Sequence, residues 1–409
     1  MPKTPLGIDV LTAARKRISY VFDNFPRIYV SFSGGKDSTV MLHLVMDEAI
    51  KRNRKVGVLL VDLEGMYKIT IDHIQAMYDL YAANIEPYWV CLPIALRNAV
   101  STFEPKWCCW EPGKEKDWIR KPPKMAITYD QRDVFPFYRY TPGDPMEFEE
   151  FVPKFGHWYA QGKMCACFVG IRADESLNRY RTIKSDKTML DGKHWTTWMD
   201  EGLYNIYPIY DWKVSDDWLY VTKFHKLYNL LYDRMYQAGL TPSQMRICQP
   251  YGDDQRRGLW LFHVIEPDTW ARVVARVNGA NAGATYVREA GDIMGNIKIT
   301  KPEGHSWQSF AHLLLESMPA PTKSHFEDKI AVFLHWWEER GYPNGIPDEA
   351  DIHLEAAKKV PSWKRICKAL LRNDYWCKGL SFSMTKSDAY DHYKKIMKRR
   401  RQAWGMLNI

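Results

Sequence analysis

With 46% hydrophobic and 26% charged residues, the 409-residue chain has the balance of a folded protein, not a disordered one, and its length exceeds what one core usually supports, so two domains are expected. Its net charge of +8 is a local feature, since residues 361–409 hold 12 Lys/Arg against 3 Asp/Glu and leave −1 for the rest. No apolar run approaches the roughly 20 residues that span a bilayer, and the start Met1-Pro2-Lys3-Thr4-Pro5 lacks a signal core, which excludes a spanning protein and sets a cytoplasmic home as the expectation.

The first element in chain order is an amphipathic helix over Val10 to Val21. An apolar strand at Ile28-Tyr29-Val30 follows, then Ser31-Phe32-Ser33-Gly34-Gly35-Lys36-Asp37-Ser38-Thr39, then a helix opening at Val40. A loop between strand and helix with this composition is a phosphate site. Gly34 and Gly35 let the backbone turn tightly, the free N–H groups of the helix start face an anion, Lys36 adds a charge, and Ser33, Ser38 and Thr39 add hydroxyls. The four-residue Walker A spacing is missing, so an ordinary P-loop is excluded. The loop resembles the Ser-Gly-Gly-x-Asp-Ser turn of the N-type ATP pyrophosphatases, and that resemblance implies a grip on the β/γ pyrophosphate of ATP, with magnesium held through Asp37.

Further strands are expected at Lys55 to Asp62 and Pro87 to Leu92, with a helix over Thr70 to Tyr81 between them. The alternation predicts an α/β fold with a doubly wound, mainly parallel sheet. Asp62 and Glu64 then emerge at the carboxyl edge beside the loop, either facing an adenosine or serving as strand-end turn residues. Residues 97–160 interrupt the pattern. Rings such as Trp107, Trp110, Trp118, Phe135 and Phe151 make the segment too aromatic for disorder, and it is expected to be an ordered insertion able to close over the sheet edge.

A short strand next ends at Gly170 and breaks into Arg172-Ala173-Asp174-Glu175-Ser176, with Arg179 and Arg181 beyond, and Pro208-Ile209-Tyr210-Asp211-Trp212 leads to Ser215-Asp216-Asp217-Trp218. Together with the loop at Ser33, these motifs resemble the phosphoadenosine phosphosulfate (PAPS) reductase family. The resemblance implies an adenine nucleotide alpha hydrolase-like fold over residues 1–240 and a nucleotide site that includes Gly170, Arg172, Glu175 and Arg179. Arg172 leaves a strand's carboxyl end, where open parallel sheets bind ligands, and there a guanidinium holds a phosphate or sulfate in bidentate fashion. The alternative is that Arg172, Arg179 and Arg181 are solvated charges of a helix. Glu175 is expected to pair with one of these arginines or with Lys36.

The family's C-terminal Glu-Cys-Gly-x-His segment, with its nucleophilic cysteine, is missing. The eight cysteines are expected to be reduced thiols or metal ligands. Cys108-Cys109 and Cys165-Ala166-Cys167 resemble, with altered spacing, the cysteines that hold an iron–sulfur cluster in adenylylsulfate reductases, and four thiolates also suit zinc; buried structural thiols are the other reading. A single helix is expected over Trp218 to Gln237, and after it residues 241–409 are expected to form a mainly helical second domain. Its tail from 361 onward is basic, and Lys394, Lys395, Lys398, Arg399, Arg400 and Arg401, with Trp and Tyr interleaved, suit DNA or RNA; a solvated helix or one docked on an acidic partner is the alternative.

Three activities remain. One is an ATP α–β pyrophosphatase or adenylyl-transfer enzyme using Lys36, Asp37 and Arg172 as its catalytic residues. The second is a nucleotide-dependent regulator bound to ATP or a PAPS-like nucleotide. It resembles the immunoglobulin-binding regulator A type of co-activator, which implies a ParB-like partner. The third, sulfonucleotide reduction, needs another cysteine in place of the missing nucleophile.

Overall fold

Asp9 starts the first helix, its carboxylate accepting the Thr12 N–H at 2.9 Å, a side-chain cap for one orphan donor. The helix α1 (Val10–Asn24) buries Ala14, Ile18, Val21 and Phe22, a spacing that puts all four on one stripe. There follow β1 (Arg27–Ser31), α2 (Lys36–Lys51), β2 (Val56–Val61), α3 (Lys68–Leu80), β3 (Ile85–Cys91), β4 (Ile94–Arg97), β5 (Lys106–Cys109), β6 (Ile127–Thr128), α4 (Phe148–Ala160), β7 (Cys165–Val169), α5 (Leu177–Lys184), β8 (Thr196–Asp200), β9 (Leu203–Ile206), α6 (Val214–Lys223) and α7 (Leu231–Gln237). The computed structural model describes residues 7–98, 101, 106–184, 190–247, 249–251, 259–277, 279–280, 299–318, 320–371, 374 and 377–382.

Seven strands form one sheet in the order β6-β3-β2-β1-β7-β9-β8. All its pairs are parallel except β8 with β9. Tyr29 of β1 stands opposite Gly57 on one side and Cys167 on the other. Central strands covered on both faces need continuous apolar runs, which is why β1, β2 and β7 show almost no alternation. From β1 the chain winds outward through β2 and β3, then returns to the other side of β1 as β7. That reversal leaves a crevice at the carboxyl ends of β1 and β7, where open sheets take their ligands.

Three sequence expectations change here. The insertion contains α4, whose Phe151, Phe155 and Tyr159 recur every four residues. Tyr159 donates its hydroxyl to Ile28 O and accepts the Gly57 N–H, both at 3.0 Å. This half of the insertion therefore covers the sheet's face as well, while Phe148 and Val152 of the same helix line a cleft at its edge. The single helix expected over Trp218 to Gln237 is two, α6 and α7, because His225 turns left-handed at φ +48° and frees the connection to reach another part of the fold. The Pro-Ile-x-Asp-Trp segment serves architecture: Arg17 donates to Pro208 O at 2.7 Å and pairs with Asp211 at 2.6 Å, and the Trp212 indole donates to Val10 O at 3.1 Å.

Two compact units account for the described residues, one drawn from residues 1–94, 108–249 and 261–272, the other from 95–107, 250–260 and 273–409. The second has its own core, in which Trp307, Phe326, Phe333, Ile366 and Leu370 are buried on the helices Trp307–Glu316, Ala320–Glu338 and Trp363–Leu371. No helix among the described residues is long and apolar enough to cross a membrane.

Candidate functional site

The phosphate-loop candidate lies between β1 and α2, in the crevice of the strand reversal. Phe32 N–H donates to Leu59 O at 2.9 Å, so the strand pairing runs one residue past β1 before the chain turns. Gly34 makes the turn at φ +72°, and a Cβ there would come within 2.8 Å of Ile74 Cγ1; both backbone and space require glycine. Gly35 caps the 16-residue α2 without a side chain, leaving the helix's first N–H groups to other partners. The Ser38 hydroxyl bridges Ser33 Oγ and Gly35 O, both at 3.0 Å. From the other side, Gly170 brings the end of β7 so close that a Cβ on it would meet Ser38 Cα at 2.9 Å and Asp37 C at 3.1 Å. This contact, with backbone that cannot rotate away, accounts for the glycine in the Gly-x-Arg motif.

Around that contact sits a buried cluster of charges. Arg172, 3% exposed, ion-pairs through Nε with Asp37, through Nη1 with Asp174 at 2.6 Å, and reaches Asp217 at 3.2 Å. Lys36 Nζ stands 3.3 Å from Asp37 Oδ2 and 3.4 Å from Met245 O. Burial opposes ionisation of Asp37, but Lys36 and Arg172 hold it below its ordinary value. Burial, and then the Asp37 charge, push Asp217 well above the carboxylate range. Two carboxylates this close favour one shared proton.

The sign of that shift makes a prediction. A carboxyl whose folded-state pKa is raised supplies stability that is complete below its ordinary value of 3.8 and lost as pH rises through the folded value, because the unfolded chain gives up its proton first. Asp37, shifted downward, acts in the opposite sense and only in acid. Asp217→Asn keeps the shape of the protonated acid and cannot titrate. Unfolding temperatures between pH 5 and pH 8 should therefore fall less steeply in the variant than in the native chain; parallel curves would show that Asp217 titrates normally.

The other expected residues divide. Ser31 and Ser33 line a cleft with Leu59, Leu60, Val61, Leu63, Met66, Tyr67, Phe148, Val152, Ile247 and Gln249, about 170 Å³ in volume. The Thr39 hydroxyl meets His73 Nε2 at 2.9 Å, and burial lowers that imidazole to about 4, so it is neutral. Asp62 and Glu64, 1% and 0% exposed, do not open on the cleft. Asp62 accepts the Trp89 indole N–H at 2.8 Å and pairs with Arg120; Glu64 accepts the backbone N–H of Trp110 at 2.7 Å and of Ile119 at 3.0 Å. They tie the first half of the insertion to the sheet edge, a role nearer to the turn-residue reading. Glu175 pairs with Arg179 at 2.9 Å, one turn along, and Lys36 is not its partner.

Cys108, Cys109, Cys165 and Cys167 do not gather into a metal site. Among the described residues no three His, Cys, Asp or Glu side chains are placed to hold a metal. Cys108 and Cys109 are on β5, Cys165 and Cys167 on β7. Cys109 donates its thiol to Ile94 O at 3.4 Å, and burial pushes Cys109 and Cys165 upward and Cys167 to about 12. The basic residues Lys394, Lys395, Lys398, Arg399, Arg400 and Arg401 lie outside the described residues. Sequence reasoning missed Asp217 as a member of the charge cluster, although the run Ser215-Asp216-Asp217-Trp218 was visible. It missed Asn229 and Tyr232 entirely: Asn229 donates to Gly34 O at 3.0 Å and the Tyr232 hydroxyl accepts the Lys36 N–H at 2.8 Å, from a segment whose pattern marks only a helix.

Comparison with known proteins gives this arrangement its context. The phosphoadenosine phosphosulfate reductase domain matches residues 27–239, and a domain of unknown function (DUF3440) matches 239–346 and 342–391. The uncharacterized protein YbdN of Escherichia coli strain K12 is 47% identical over 409 residues, which cover 99% of this chain and 98% of that protein. Among solved structures, the phosphoadenylyl-sulfate reductase of Candida auris in its phosphate complex aligns with 58% of this chain and 88% of its own at 13% identity and a TM-score of 0.32. The FMN adenylyltransferase of Candida glabrata in complex with ATP aligns with 55% and 57% at 14% identity and a TM-score of 0.31. Both structural likenesses are remote.

Proposed function

Because the chain belongs to the phosphoadenosine phosphosulfate reductase domain family, we propose that residues 1–240 bind an adenine nucleotide and that the chemistry is cleavage of ATP between its α and β phosphates, by hydrolysis or by transfer of AMP to an acceptor. The observation that carries this reading is an apolar cleft walled by Leu59 to Val61, Met66 and Tyr67 that reaches Ser31 to Ser33, in the same loop whose Gly35 and Lys36 start α2. The helix start and lysine suit the departing pyrophosphate, whose growing charge they offset. An apolar cleft with few polar groups suits a base. Magnesium takes one or two carboxylates and completes its shell with substrate phosphates and water. Asp37, the member of the pair held in its ionised form, fits that demand; the ion would add charge stabilisation at the leaving phosphates. The reductase reading loses ground, because Cys367 and Cys377 are buried in the second unit and burial raises both thiols to about 12.

A second reading, a nucleotide-dependent regulator in the manner of the immunoglobulin-binding regulator A type with a ParB-like protein as partner, is favoured by one observation: the loop's donors at Lys36 are already occupied by the chain itself, as suits a resting switch. ATP labelled in its phosphates separates the two. Release of pyrophosphate, with the AMP either free or carried on an acceptor supplied by cell extract, is the result expected of the enzyme, tight binding with no pyrophosphate released in extract is the result expected of the regulator, and absence of both defeats the nucleotide assignment.

A further inference from the structure

One segment after α6 reaches the phosphate loop at three points, and the chemistry of the three differs. Asn229, wholly buried, donates its amide to Gly34 O and to Thr70 Oγ1, both at 3.0 Å, while its own oxygen accepts the Leu231 N–H at 2.9 Å. Gly34 O is an acceptor that no anion would seek, so this contact supports the left-handed turn whether or not a ligand is present. Tyr232 does the reverse. Its hydroxyl accepts the Lys36 N–H at 2.8 Å, one of the orphan donors through which a helix start holds an anion. Its ring lies 5.6 Å from Lys36 Nζ and is held by the edge of Trp218, 5.4 Å between centroids. The Met245 carbonyl takes the Lys36 ammonium at 3.4 Å. Two groups of this segment thus occupy the donors that a phosphate would claim.

We infer that the segment Asn229 to Met245 is a latch on the phosphate loop, which an incoming phosphate opens by displacing the Tyr232 hydroxyl and the Met245 carbonyl from Lys36 while Asn229 keeps the turn in shape. The inference rests on the nucleotide reading above. A ligand that has to break a contact before binding loses affinity by the worth of that contact, so the two residues that touch the loop through side chains have opposite effects when removed. Tyr232→Phe discards a competitor. Asn229→Ala discards a support.

Calorimetric titration of the full chain with inorganic pyrophosphate and with ATP tests this, with circular dichroism to establish folding. Tyr232→Phe is expected to bind both about two- to tenfold more tightly, the equivalent of one hydrogen bond no longer broken on binding, and Asn229→Ala to bind them more weakly. Unchanged or weaker binding by Tyr232→Phe, in a protein where Lys36→Ala does lose affinity, overturns the latch and leaves the nucleotide assignment standing. Binding indifferent to Lys36→Ala alone removes the Met245 contact from the latch, since that variant loses the ammonium and keeps the backbone N–H that Tyr232 covers; binding indifferent to both Lys36→Ala and Tyr232→Phe overturns the latch and the nucleotide assignment together. Binding by the tyrosine variant alone is the strongest form of the expected result, and binding by neither protein defeats the proposal. Should Asn229→Ala not fold, amide exchange provides the second arm: pyrophosphate should speed exchange across residues 228–237 of the native chain, and unchanged protection would count against opening.

Discussion

Arg172→Ala is expected to lower the free energy of unfolding by about 3–5 kcal/mol, the usual result of removing one partner from a buried ion pair. The guanidinium serves Asp37 and Asp217, both inaccessible or nearly so, as well as the half-open Asp174. Without it, two buried carboxylates face each other with Lys36 as the nearest compensation. The family motif suggested a residue placed for a ligand, whose loss would harm turnover more than folding; its contacts within the chain point the other way. Denaturant titration measures the loss, and Arg172→Lys is a useful control, because an ammonium is a point charge that cannot span the carboxylates as a planar guanidinium does. The lysine variant should recover part of the stability. If Arg172→Ala unfolds at the native denaturant concentration yet loses nucleotide turnover, the guanidinium belongs to the ligand after all.

How far the sequence could be read follows from the range of the interactions involved. The candidate phosphate loop is local: strand, glycines and helix are neighbours in the chain, so composition and order were enough to place the turn between β1 and α2, and the parallel sheet followed from alternating strands and helices. Asp62 and Glu64 were correctly set at the carboxyl edge, but what they bond is 27 to 58 residues further on, in Trp89, Trp110, Ile119 and Arg120, and no spacing reveals such partners. The partners of Arg172 were hidden for the same reason, Asp37 being brought to it by the return of β7 beside β1 and Asp217 by α6. The break between α6 and α7 had a weak local sign in Leu227-Tyr228-Asn229, since an asparagine competes for backbone hydrogen bonds inside a helix. The helical repeat at Phe151, Phe155 and Tyr159 was plain in the sequence and was hidden by the crowd of other rings around it.

Lys36→Ala should weaken the binding of ATP and of inorganic pyrophosphate by at least about tenfold, because a hydrogen bond to a charged group contributes about 1.5–3 kcal/mol and 1.4 kcal/mol is a factor of ten. The two ligands should lose similar amounts, since the lysine stands at the start of α2 and meets the pyrophosphate end of either. AMP carries no β or γ phosphate, and its affinity should change little. This selectivity separates a lost contact from a damaged fold: Lys36 is 7% exposed and lies against Asp37, so its removal also unbalances the charge cluster, and a general loosening of the site would weaken AMP along with the others. Calorimetry on all three ligands, at a temperature well below the variant's unfolding transition, distinguishes them. Equal losses for AMP, ATP and pyrophosphate would make Lys36 a structural cation of the Asp37–Asp217 cluster, and the phosphates would have to be held elsewhere in the crevice.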